Sequence, residues 1–80
     1  MEITFSPNPV QDDFMEFTCF DCNKNGSSID IITIDGRIIK SLTNLYNGDK
    51  VNVTDVSKGV YFVKVTDSTS RMEVIKMVKN

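Results

Sequence analysis

An antiparallel β-sandwich of seven strands is the fold this sequence predicts, and three observations carry the expectation. Apolar and polar residues alternate with a period of two along much of the chain. Clusters of Gly, Asn, Asp, Ser and Pro interrupt that alternation about every ten positions. No stretch repeats its apolar residues at helical spacing, so an all-β chain with frequent turns remains. The 80 residues suit one small domain, and 40% hydrophobic with 25% charged content belongs to a folded chain rather than a disordered tail. Area scaling gives about 13,000 Å² for the extended chain and about 5,000 Å² for the folded one. Burial of the apolar share is worth about 120 kcal/mol. Ordering the chain costs about 120 kcal/mol as well, so the core has no slack.

Residues 3–5 form a short first strand, stopped by Pro7-Asn8-Pro9, where two prolines forbid regular ladder pairing. Phe14–Cys19 is the second strand; Phe14 and Phe17 stand three apart and can share a face only through a bulge. Residues 23–28 make a polar loop, and Ile29, Ile31 and Thr33 alternate on a third strand. Asp35-Gly36 reads as a two-residue hairpin turn, because Gly tolerates the positive φ such turns require. Residues 37–42 return as the fourth strand, and residues 42–45 are too few for a helix. After a turn at Asn47-Gly48-Asp49, Val51 and Val53 alternate with Asn52 and Thr54 on a fifth strand. Lys58-Gly59 leads into the sixth, residues 60–65, with Tyr61, Val63 and Val65 on one face. Asp67-Ser68-Thr69-Ser70 is the last turn, and residues 71–78 the last strand. There Met72, Val74, Lys76 and Val78 share one side, and Glu73, Ile75, Met77 and Lys79 the other.

Composition narrows the function. The net charge of −2 argues against non-specific nucleic-acid binding. Residues 1–35 hold seven acids against Lys24, whereas residues 36–80 hold eight bases and four acids. Attraction between two halves of one sandwich explains that asymmetry; a directional surface for a partner is the functional alternative. The absence of His removes the usual general base and a common metal ligand. The absence of Trp weakens a sugar-platform reading. No apolar run approaches the roughly 18 residues of a membrane helix. The start, Met1-Glu2-Ile3-Thr4-Phe5, lacks the segments of a signal peptide and opens directly into a strand, so residues 1–80 are expected to be a single domain cut from a longer protein.

Two spacings suggest chemistry. Cys19-Phe20-Asp21-Cys22 follows a strand rather than opening a helix, which weakens a redox reading, and no second pair completes a zinc site. A local disulfide and two unpaired thiols both stay open. Asp21-x-Asn23-x-Asn25-Gly26 has the oxygen spacing of a calcium loop but carries Ile32 where its bidentate acid belongs; a plain polar loop is the better fit. For catalysis, neither Cys has a His partner, and adjacent Asp12 and Asp13 face opposite ways on a strand. Tyr61 reads as a core aromatic. No cofactor, metal or enzymatic activity is expected, and the residues point to a binding or addressing module.

The motifs then add up to a resemblance. Pro7-Asn8-Pro9-Val10-x-Asp12-x-Phe14 resembles the PNPvxDxL opening of C-terminal sorting domains of the bacterial type IX (Por) secretion system, type A. Residues 29–39, with Asp35-Gly36-Arg37, resemble the family's ixiyDxxGkxv segment, and residues 51–65, with Gly59-Val60-Tyr61, its idlsxLpxGvYxvxv signature. Lys76-Met77-Val78-Lys79 matches the closing KxvK. Thr33, Ser57 and Glu16 depart from the usual Asp, Pro and aliphatic residue, and Cys19-x-x-Cys22 lies outside the pattern.

That resemblance implies an Ig-like sandwich at the end of a larger secreted cargo in Bacteroidota-type bacteria. It further implies a passage through the periplasm, recognition by the outer-membrane translocon, and a final place at the cell surface or outside. Removal of the domain by a sortase-like cysteine protease, with attachment of the cargo to the surface, often follows in such proteins. Pro7, Asn8, Pro9, Asp35, Gly36, Gly59, Tyr61, Lys76 and Lys79 are the motif positions. The prolines and glycines are expected to hold turns, and Lys76 and Lys79 to touch a partner directly. The free edge of the last strand is expected to be able to receive a partner strand. The alternative is an Ig-like adhesion or carbohydrate-binding module.

Overall fold

The computed structural model describes residues 2–11, 13–22 and 25–80. Among them run β1 (Ile3–Ser6), β2 (Phe14–Cys19), β3 (Ser27–Thr33), β4 (Ile38–Leu45), β5 (Lys50–Asn52), β6 (Gly59–Asp67) and β7 (Met72–Lys79). They form a three-stranded sheet ordered β1-β2-β5 and a four-stranded sheet ordered β4-β3-β6-β7. All of these strand pairs are antiparallel, as expected; an isolated parallel bridge joins Val10 to Lys79. The folded surface of 4818 Å² lies close to the area that scaling gives for this chain length.

Alternation builds the core. Phe5, Met15, Phe17 and Val51 point inward from the smaller sheet, against Ile29, Ile31, Tyr61, Val63, Val65 and Met77 from the larger one. The rings of Phe5 and Phe17 sit 5.5 Å apart. The expected strands are therefore present, with four differences that have physical causes.

β2 is regular rather than bulged. Met15, Phe17 and Cys19 share the inner face, Phe14 is 48% exposed, and Glu16 faces solvent opposite Lys50 of β5. Met15 thus supplies the inward residue that the Phe14–Phe17 spacing lacks. The irregularities fall instead between β3 and β4, where the register shifts twice and Asn44 takes a positive φ of 57°. β4 also continues through residues 42–45, because Leu45 is buried opposite Ser27. Its bulge hides that continuation from a period-two reading.

Residues 34–37 connect β3 to β4, and the turn that Thr33 and Arg37 close has three residues, not two. Thr33 N–H donates to Arg37 C=O, and Gly36 N–H donates back to Thr33 C=O. Ile34 and Asp35 make the turn and Gly36 closes it at φ 92°, in the left-handed region that a side chain disfavours. Oppositely charged residues of the two halves stand across from one another in the ladders, Glu16 from Lys50 and Asp30 from Lys64. The ion pairs Lys40–Asp55 and Arg71–Asp67 both lie within the basic half.

Candidate functional site

The motif residues, spread from position 7 to position 79, meet at one end of the sandwich. Thr33 pairs with Tyr61, Gly59 with Lys79, and Phe14 with Asn52. That register places the β1–β2 connection, the Asp35-Gly36 hairpin, the β5–β6 loop and the end of β7 at a common pole.

Pro7-Asn8-Pro9 lies along the outer edge of β7, with cis peptide bonds before both prolines. Neither proline offers an N–H, so the contact falls to their neighbours. Asn8 Nδ2 donates to Lys76 C=O at 3.0 Å, while Val78 N–H donates to Asn8 Oδ1 at 3.1 Å. The side-chain amide thereby takes the place of a peptide unit of a neighbouring strand. Val10, fully buried, continues the pairing: its N–H donates to Val78 C=O at 2.7 Å, and Asn80 N–H donates to Val10 C=O at 2.8 Å. The first motif and the last are thus one hydrogen-bonded unit.

Gly59, Tyr61 and Lys79 hold the β5–β6 loop. Tyr61 is only 8% exposed, and its hydroxyl donates to Ser57 C=O at 2.7 Å. Its burial matches the expected core role and leaves it no face for stacking a sugar. Gly59 sits at φ 153°, with the Tyr61 ring 3.7 Å from where a Cβ would stand. Lys79 is half-buried, and its Nζ donates to Val53 C=O at 2.6 Å. Val53 N–H in turn donates to Asp13 C=O at 2.7 Å, which joins this loop to the β1–β2 connection.

The two lysines therefore differ. Lys79 lies on the inner side of β7 and ties down a loop, whereas Lys76 is exposed on the outer side. The Lys76 ammonium has no hydrogen-bond or ion-pair partner among the described residues. Asp35 is exposed at the hairpin tip, where the Thr33 hydroxyl donates to its carboxylate and holds its pKa below the usual aspartate range. The same hydroxyl accepts Arg37 N–H at 3.0 Å, so Thr33 performs the local bonding expected of the Asp it replaces. At the neighbouring loop, the hydrogen bond from Lys40 lowers the Asp55 pKa.

The opposite pole has a side-chain network where the sequence alone predicts an ordinary turn. Asp67 is 4% exposed and its Oδ1 accepts Thr69 N–H at 2.9 Å, the Thr69 hydroxyl at 2.7 Å and Arg71 N–H at 3.0 Å. Arg71 Nε reaches Oδ2 at 2.7 Å, and the same guanidinium donates to Asp21 C=O at 3.0 Å. The available signal was the spacing of Thr69 and Arg71 two and four residues after an Asp. Cys19 and Cys22 form a disulfide with their Cα atoms 5.6 Å apart, which resolves the two open thiol readings. Asp21 accepts Glu2 N–H at 2.9 Å, and Asn23 of the calcium-like spacing lies outside the described residues, as does Asp12 of the first motif.

The Asp67 network makes stability depend on pH. Hydrogen bonds from Thr69 and Arg71 lower the Asp67 pKa from 3.8 to about 2. The unfolded chain binds the proton first, so the stabilisation is complete above pH 4 and is lost as the pH falls toward 2. Melting temperatures of the wild type and Asp67→Asn should differ most near neutrality and converge across that window. A constant difference from pH 7 to pH 2 would contradict this assignment.

Among the described residues, no group of three His, Cys, Asp or Glu side chains gathers to hold a metal ion, and no helix is long and apolar enough to cross a membrane. Comparison with known proteins then gives three findings. A family profile described as "Secretion system C-terminal sorting domain" matches residues 4–80. Comparison with curated proteins returns no match. Among solved structures, the fold resembles part of PorZ, described as an essential bacterial surface component of the type-IX secretion system of Porphyromonas gingivalis. The TM-score is 0.74 at 23% identity, and the alignment covers 98% of this chain and 11% of PorZ.

Proposed function

Because this chain belongs to the family of secretion system C-terminal sorting domains, we propose that the pole carrying its motifs is a folded address read by the type IX outer-membrane translocon. The family assignment makes the chain a sorting signal of the type IX system, a non-catalytic domain whose cargo is destined for the cell surface or the outside. Beyond that, the motif set supports assignment to type A. The same reading makes it a domain at the C-terminal end of a larger cargo exported through the periplasm, a cargo of the kind often released by a sortase-like cysteine protease and retained at the surface.

The observation that carries the reading is the convergence of four separate motifs on one pole, with Asn8 bonded to both Lys76 and Val78. Most of the motif residues there hold backbone in place. A recognised surface built this way is ordered before it meets its receptor, so little ordering entropy is lost on contact. Lys76 is the motif residue best suited to direct contact, because its side chain is charged, exposed and unengaged among the described residues.

A reporter directed to the periplasm and fused ahead of residues 1–80 tests this in a type IX-competent bacterium. Reporter should reach the surface or the medium there and stay in the periplasm of a strain lacking the translocon. Retention in both strains, with the domain folded and intact, would overturn the reading.

A further inference from the structure

β7 is the long regular edge of the larger sheet. Eight consecutive residue pairs join it to β6, from Gly59–Lys79 to Thr66–Met72, with no shift of register. β4, at the other edge, has two register shifts and the positive-φ Asn44, devices that spoil an edge for pairing. In an antiparallel ladder alternate residues turn their backbone groups outward. Contacts of Lys76 C=O, Val78 N–H and C=O, and Asn80 N–H with Asn8 and Val10 identify the even-numbered residues as the outward set. Those contacts seal only the C-terminal half of the edge. The N–H and C=O of Met72 and Val74 and the N–H of Lys76 point outward with no partner among the described residues.

Side chains around the open half define what fits it. Met72 is 62% exposed and Val74 60% exposed, both beside the edge on the outer face. Lys76 marks the boundary with the sealed half, and its cross-strand neighbour is Phe62 rather than an acid. Resting on the sorting function above, we propose that Met72–Val74–Lys76 receives an extended strand of a receptor protein, apolar where it meets Val74 and acidic where it meets Lys76. Backbone pairing supplies affinity in this mode, and the side chains of alternate residues supply register. The segment 7–10 limits the docked strand to the open half. The free edge expected from the sequence is therefore half as long as the strand, and its position is set by Asn8.

Val74→Pro tests the proposal in the reporter fusion. It deletes an outward N–H and leaves the β6–β7 ladder bonds of residues 73 and 75 in place, as edge prolines do. Val74→Lys alters only the outward side chain, and Val74→Thr keeps both the N–H and a branched strand-forming residue. Export through the translocon should fall at least tenfold for Pro and Lys and stay near wild type for Thr. Melting temperatures of the purified domains identify which variants are folded at the growth temperature.

Wild-type export by a folded Val74→Pro or Val74→Lys variant would overturn the edge proposal while leaving the sorting function intact. Failure of the unmodified fusion to leave the periplasm would remove both. A purified wild-type domain that dimerises at micromolar concentration, and that Val74→Pro renders monomeric, would replace the receptor strand by a second copy of this chain.

Discussion

Phe17→Ala is expected to destabilise the domain by about 3–5 kcal/mol, the range for truncating a buried aromatic. Phe17 is fully buried, stacks near Phe5, and lies on β2, the strand that joins β1 to β5. Its loss weakens both pairings of the smaller sheet together with the contact to the larger one. An 80-residue domain has a total stability of about 4–12 kcal/mol, so this single change removes a large part of it. Phe14→Ala is the matched control: Phe14 is half exposed on the other face of the same strand, and its truncation should cost under about 1 kcal/mol. Urea unfolding of the two variants measures the difference, with the slope of the transition unchanged. A larger loss for Phe14→Ala would mean that β2 is bulged after all and that Phe14 faces the core.

That comparison bears on what the sequence made legible. Strand number, strand order along the chain and most turn positions follow from period-two alternation, since Tyr61, Val63 and Val65 can share a face only on a strand. Alternation fails where an extra residue enters. β4 looked shorter than it is because the bulge at Asn44 moves Leu45 onto the inner face. The pairing partners of each strand are beyond periodicity altogether. No local pattern announces that β5 joins β2, or that Val10 lies beside Val78.

The candidate site shows the same division. Its residues were legible as motifs, but their separate roles were not, because those roles depend on contacts between distant parts of the chain. Lys76 and Lys79 look alike in sequence. Only the position of Val53 C=O, under the inner face of β7, makes Lys79 a structural tie, whereas the Lys76 ammonium has no partner among the described residues. Asn8 is legible in sequence only as a motif position between prolines, yet both ends of its amide are spent on a strand 68 and 70 residues away. Asp67 is legible as a turn former, which it is. Its burial and its pairing with Arg71 depend on the packing of that turn against Asp21.

Tyr61→Ala is expected to cost about 3–5 kcal/mol, and Tyr61→Phe about 1–2 kcal/mol. The larger figure is the loss of a buried ring that packs on Gly59; the smaller is the loss of the hydroxyl that holds Ser57 C=O. The β5–β6 loop then retains the Lys79–Val53 bond, the Lys40–Asp55 ion pair and the contact with Asp13 near its start. Export should follow the folded fraction in both variants and recover when cells grow at a lower temperature, where more of each chain is folded. Lys76→Ala should behave in the opposite way. Its side chain engages nothing among the described residues, so stability should change by less than about 0.5 kcal/mol. If Lys76 touches the receptor, export should nevertheless fall, and cooling should not restore it. The contrast separates residues that build the address from the residue that is read. Export by Lys76→Ala at the wild-type level would remove that residue from the contact surface, and a Tyr61→Phe variant as stable as the wild type would remove the hydroxyl from the architecture of the pole.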